Sequence, residues 1–112
     1  DLIDRSGTID ELRSDPKKAR FFELAMKMAL RLIINEGGWG VAEMDVQSSP
    51  LRVTLSNSQE ARWIGPAQKP VCYLSAGVIA GYTSRLLGED LDTEEVRCEA
   101  MGHASCVFEI QR

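Results

Sequence analysis

The sequence predicts an α+β domain, an antiparallel sheet of two hairpins packed with two long helices. Three observations predict it. Two runs with helical spacing of apolar residues open at Pro16 and Pro70, and each is followed by a pair of short, strand-like stretches. The order helix, hairpin, helix, hairpin contains no strand–helix–strand crossover of the kind that builds a parallel sheet. A chain of 112 residues, 44% of them hydrophobic, is long enough for one core and too short for two ordinary domains. Residues 15–112 are therefore expected to form a single domain, with 1–14 as an arm or short helix.

In that arm, Thr8 and Glu11 have capping-box spacing, and Ile9 and Leu12 are its apolar positions. Asp15-Pro16 is an N-cap followed by proline at the first helical position, and the pattern it opens ends at Gly37-Gly38. Phe21, Ala25, Met28, Ala29 and Leu32 share one face of this helix. Phe22, Met26, Leu30 and Ile33 widen it, so burial on more than one side is expected. Residues 39–46 and 51–55 read as strands around a Ser48-Ser49-Pro50 turn, with Leu51, Val53 and Leu55 alternating against Arg52 and Thr54. Residues 56–69 are polar, broken at Gly65-Pro66, and carry Trp63; they read as a connection with one helical turn. The second long helix runs from Pro70 through Leu74, Val78 and Tyr82 to Gly88. Its small residues Ser75, Ala76, Gly77, Ala80 and Gly81 admit a close neighbour. The last hairpin pairs residues 94–98 with 106–110 around a turn at 102–105.

A net charge of -4 without a basic stripe argues against direct nucleic-acid binding. Arg31 and Glu36 interrupt the longest apolar run before it nears the ~20 residues that span a bilayer, and no signal-peptide pattern opens the chain. A cytoplasmic protein is expected. Because the first residue is Asp1, the chain is also expected to be part of something longer, such as a regulator with a separate output domain. Three cysteines, an odd number, argue against a disulfide framework and leave metal binding or buried free thiols.

A closed zinc site needs four donors, with thiolates preferred and a carboxylate acceptable. Across a hairpin folded about Gly102, Cys98 and Cys106 face each other, and Cys72 in the first turn of the second helix would pack over them. The fourth donor is open on spacing. Glu95 is three residues from Cys98, which in a flat strand puts them on opposite faces, so their convergence requires a bulge; Glu94 is a rival on register. His103, as a turn residue, should lie roughly 10 Å from the cysteine pair at the rise of a strand. Three ordinary core cysteines, or a Cys98–Cys106 disulfide, remain alternatives to a metal.

Residues 70–73 (PVCY), 76–82 (AGVIAGY) and 95–110 (EVRCEAMGHASCVFEI) closely resemble the 4-vinyl reductase domain family, over about the last half of the chain. Residues 57–61 (NSQEA) are similar to the segment before this helix in the phenol- and toluene-sensing bacterial activators of that family. The resemblance implies a zinc site of Cys72, Glu95, Cys98 and Cys106. It also implies a ligand-binding fold, paired as a dimer through its helices and distantly similar to transport-complex subunits that hold an acyl chain. The tryptophan that phenol sensors use to hold a hydroxyl corresponds to Leu55, so an apolar aromatic, lipid or isoprenoid ligand is expected instead of phenol. Phe22, Met26, Trp39, Val53, Leu55, Tyr73 and Ala76 are the candidate pocket residues, with ordinary core packing as the alternative for each.

The expected function is thus a zinc-containing sensor or carrier domain enclosing a small apolar molecule, of the kind found in transcription regulators. Its zinc would be structural, coupling ligand-induced movement to a partner protein or output domain. The second reading is a scaffold or dimerisation module without a functional pocket. A reductase is not expected: no glycine-rich dinucleotide loop follows a strand, there is no Ser/His/Asp arrangement, and the single histidine lies in the cysteine hairpin.

Overall fold

A computed structural model describes residues 11–48 and 50–111, apart from the side chain of Arg13. Most of the arm, including Thr8 of the capping box, lies outside the described residues. Glu11–Ser14 form one helical turn, α1. Asp15 then caps α2 (Pro16–Leu30), its carboxylate accepting from the amides of Lys17 and Lys18. The helix widens into a π turn over Arg31–Asn35, where the amide of Glu36 donates to the carbonyl of Arg31 at 2.8 Å and that of Trp39 to Ile34 at 2.9 Å. Gly37 follows because a Cβ there would lie 2.3 Å from the carbonyl oxygen of Ile33.

The face of α2 that meets the core is not the one the apolar spacing favours. Phe22, Met26, Leu30 and Ile34 are buried, whereas Phe21, Met28 and Leu32 are 59%, 65% and 57% exposed. Both stripes are apolar, so hydrophobicity alone does not choose between them. The sheet meets the stripe spaced by four residues, which the π turn extends to Ile34.

The strands are β1 (Val41–Asp45), β2 (Arg52–Ser56), β3 (Asp92–Arg97) and β4 (Cys106–Gln111), in the antiparallel order β1-β2-β4-β3. Two sequential hairpins are joined through β2 and β4, where Val53 pairs with Phe108. The alternation is strict at this junction. Val53, Leu55, Cys106, Phe108 and Ile110 point into the core, while Arg52 reaches Glu109 across the outer face at 2.9 Å. Between the hairpins lie α3 (Gln59–Ile64), capped by Ser58, and α4 (Tyr73–Leu87), which stops at Gly88 as expected. Helix α2 lies over β1, α4 over β3, and the two helices pack on each other. No helix among the described residues is long and apolar enough to cross a membrane.

Candidate metal centre

Cys72 sits just ahead of α4 rather than inside its first turn. Its φ of -85° and ψ of 60°, with the Tyr73 amide bonded to the carbonyl of Val71 at 2.9 Å, make it the centre of a three-residue turn. Tyr73 is consequently the first helical residue, and the Cys72 thiol is left free of capping duty.

The hairpin contributes three donors, and the irregularity required by Glu95 and Cys98 is present. Glu95 pairs with Phe108 and Arg97 with Val107, so Val96 is an extra residue that returns Glu95 and Cys98 to one face. Beyond Cys98 the chain coils through a 3-10 turn (Glu99–Met101) to Gly102, whose φ of 94° suits glycine. The carbonyl of Cys98 accepts from the amides of Met101 and His103, and the Glu99 amide donates to Cys106 Sγ at 3.3 Å. This coil also corrects the expected position of His103. Its Nδ1 accepts from the Cys98 amide at 2.9 Å, so the ring folds back onto the hairpin and orients Cys98 instead of standing at a distant tip.

One donor atom from each of Cys72, Glu95, Cys98 and Cys106 lies within 4.8 Å of the others, the only such group among the described residues. Glu94, the rival carboxylate, is exposed and accepts from Gln111 Nε2. Two features test the fit to a metal. The Cys72 and Cys106 sulfurs are 3.7 Å apart, close to the ~3.8 Å edge of a tetrahedron with metal–sulfur bonds of ~2.3 Å. Glu95 is half-buried as a residue; its Oε1 accepts from the Cys72 amide at 2.9 Å, while its Oε2 is shut from solvent with no hydrogen-bond partner. A buried carboxylate oxygen left unsatisfied beside three sulfurs is costly unless a cation meets it. The donor set fits zinc: three soft sulfurs and one carboxylate, all four from the protein.

Without an ion the thiols divide their protons unevenly. Cys106 is held below the ordinary thiol range, first by the hydrogen bond from Cys72 and then by the Glu99 amide, against the opposing effect of burial. Cys72 is pushed up by donating that bond and by burial, although Ser58 Oγ, 3.3 Å from its sulfur, pulls the other way. Burial is also the main cause raising Cys98. Metal uptake must therefore displace protons from Cys72 and Cys98, so apparent affinity should rise with pH through the neutral range.

Ser58, Glu60 and Glu99 brace the centre and carry no sequence signal of doing so. The Glu99 carboxylate accepts from the amides of Asn57 and Ser58, both at 2.9 Å. Glu60 accepts from the amides of Leu74 and Ser75 and from Ser75 Oγ. These pairs are 14 to 42 residues apart along the chain, beyond the reach of any local pattern.

The pocket candidates are not gathered as the metal ligands are. Phe22, Met26, Val53 and Leu55 are closed into the core, Trp39 and Ala76 pack partly against it, and Tyr73 is 65% exposed. An apolar cleft of about 170 Å³ does exist where the π turn meets the start of α4. It is lined by Ile33, Ile34, Trp39, Leu74, Ser75 and Val78.

Comparison with known proteins places these features in context. The family profile of the vinyl-4-reductase domain matches residues 51–112. Two uncharacterized proteins of Methanocaldococcus jannaschii are similar: MJ0855 is 28% identical over 81% of the chain, and MJ0745 is 27% identical over 73%. The chain spans 44% of the length of each. Among solved structures, a vinyl-4-reductase family protein from M. jannaschii superposes with a TM-score of 0.65 at 23% identity, covering 80% of this chain and 66% of that one. The phenol-responsive sensory domain of the transcription activator PoxR, with phenol, superposes at 0.60 and 20% identity, covering 98% and 62%. Likenesses at these identities concern the fold.

Proposed function

The chain belongs to the vinyl-4-reductase domain family, and on that premise we propose that it is a small-molecule-binding domain of sensor or carrier type, stapled by one structural zinc ion. The observation that carries the zinc is the closed Cys72, Glu95, Cys98 and Cys106 cluster with its unpartnered carboxylate oxygen. Bound there, the ion would tie the start of α4 to the β3–β4 hairpin. Four protein donors fill its coordination and leave no position for an activated water, which favours a staple over a catalyst.

Support for the binding role comes from the PoxR domain, which is a phenol-responsive sensor, and from the apolar cleft. Ser75 in that cleft is bonded to Glu60 of α3, and Ser58 at the start of α3 touches Cys72. Movement at the cleft thus has a short, hydrogen-bonded route to the metal. We take residues 15–112 as the folded unit, cytoplasmic, reporting to an output domain or partner protein. Native mass spectrometry of the purified chain tests the binding role. A small organic molecule or added neutral apolar probe retained with the zinc-loaded chain is expected; a chain that stays empty against every such probe would leave the scaffold reading.

A specific observation favours pairing of two copies. Phe21, Leu24, Met28 and Leu32 form a stripe along α2 in which every residue is more than half exposed, beside exposed Leu74 on α4. Association through this face would bury it. Met28→Glu is expected to turn a dimer into a monomer in light scattering without lowering zinc content, whereas an unchanged mass would contradict pairing through α2.

A further inference from the structure

We propose that the cleft between the π turn and the first two turns of α4 is the ligand site, and that it takes one compact, uncharged ring of about six to eight carbons. The inference rests on the binding role proposed above and specifies where that role is performed and for what. The sheet-facing positions expected from sequence cannot serve without opening the core, since Phe22, Met26, Val53 and Leu55 are fully buried against one another and their neighbours.

The cleft exists because α2 does not end as an ordinary helix. The wide turn at Arg31–Asn35 and the close passage at Gly37 bring Trp39 back toward Ile34, and Trp63 of α3 meets the Trp39 ring edge-on at a centroid distance of 5.9 Å. Insertions of this kind in α-helices are found frequently at functional sites. Ile33, Ile34, Trp39, Leu74 and Val78 make the wall apolar, and no lining residue is charged. Ser75 supplies the one polar side chain, and its hydroxyl already donates to Glu60 at 2.9 Å, so the cleft presents no unmet charge to a ligand. A carboxylate or phosphate would lose its hydration for nothing in return.

Size decides the class. The volume of about 170 Å³ is near that of apolar cavities of ~150 Å³ that accept benzene or xenon, and below the ~300 Å³ at which sites for larger ligands begin. A single ring fits, and an acyl or isoprenoid chain does not. The larger groove between α2 and β1, about 480 Å³, is a poorer home for a neutral ring because Glu23, Lys27, Arg31 and Glu43 line it.

The two tryptophans of the chain are Trp39 and Trp63, so intrinsic fluorescence reads this site directly. Toluene and cyclohexane are the probes, with benzoate as the charged control. For the metal-loaded chain we expect saturable fluorescence changes with both neutral rings and none with benzoate. Val78→Phe, which fills the cleft, should weaken toluene at least tenfold. Leu74→Ala, at an exposed position that spares the fold, should weaken it several-fold. Toluene binding that is unchanged in both variants and silent in fluorescence would overturn the cleft while leaving a small-molecule site elsewhere. Failure of every neutral ring to bind the folded wild-type chain would overturn the binding role itself.

Discussion

Removing the metal with a strong chelator is expected to lower the melting temperature of the chain by about 15 °C or more. A ligand held a thousandfold above its dissociation constant stabilises the folded state by ~4 kcal/mol, and in a domain of roughly this size each kcal/mol is worth ~4–8 °C. The metal-free site adds its own cost. Three sulfurs crowd within 4.8 Å of a carboxylate whose Oε2 has no partner, in a setting where Cys72, Cys98 and Cys106 are closed from solvent. The hydrophobic core around Phe22, Phe108 and Ile79 is independent of the site, so loosening of the β3–β4 hairpin and the start of α4 should precede global unfolding. Restoring zinc should restore the melting temperature. A shift of less than about 2 °C on verified metal removal would show that the cluster contributes little to stability.

The second large effect is expected at Glu60, which is 6% exposed and far from obvious as a structural residue. Cys72 gives α4 no side-chain cap, and Glu60 supplies one from another helix, with contacts of 2.7 Å to the Leu74 amide, 3.0 Å to the Ser75 amide and 2.9 Å to Ser75 Oγ. Its charge also faces the positive end of the α4 dipole. Hydrogen bonds to a charged group are worth ~1.5–3 kcal/mol each, and buried amides left unpaired incur a further penalty. Glu60→Ala should therefore cost about 3 kcal/mol in urea unfolding, with Glu60→Gln intermediate because it keeps one acceptor. Glu109→Gln, which removes the surface pair with Arg52, is the control and should cost less than ~1 kcal/mol. Equal effects at Glu60 and Glu109 would remove Glu60 as the cap of α4.

The contrast between these two sites shows what the amino-acid sequence discloses. Asp15-Pro16, Gly88 and the alternation at Val53 and Leu55 are local signals with local causes, and the corresponding helix start, helix stop and strand lie close to where they are expected. The four metal donors were legible because thiols are scarce and their spacing matches a family pattern, and the bulge at Val96 followed from requiring Glu95 and Cys98 to meet. Three things were not legible. The choice between two apolar stripes on α2 depends on how the sheet sits against it. The compact coil that returns His103 to Cys98 depends on backbone bonds to one carbonyl. The cleft depends on a π turn, and the apolar residues that line it look in sequence like any other core.

Zinc coordination by Cys72, Glu95, Cys98 and Cys106 is the central claim and the most directly measurable one. Metal analysis of the chain purified without added metal, followed by X-ray absorption at the zinc edge, should give one zinc per chain with three sulfurs at ~2.3 Å and one oxygen at ~2.0–2.2 Å. Glu95→Ala should remove the oxygen and leave the sulfurs. A folded chain that carries no metal, or one whose zinc shell contains nitrogen in place of the Glu95 oxygen, would contradict it.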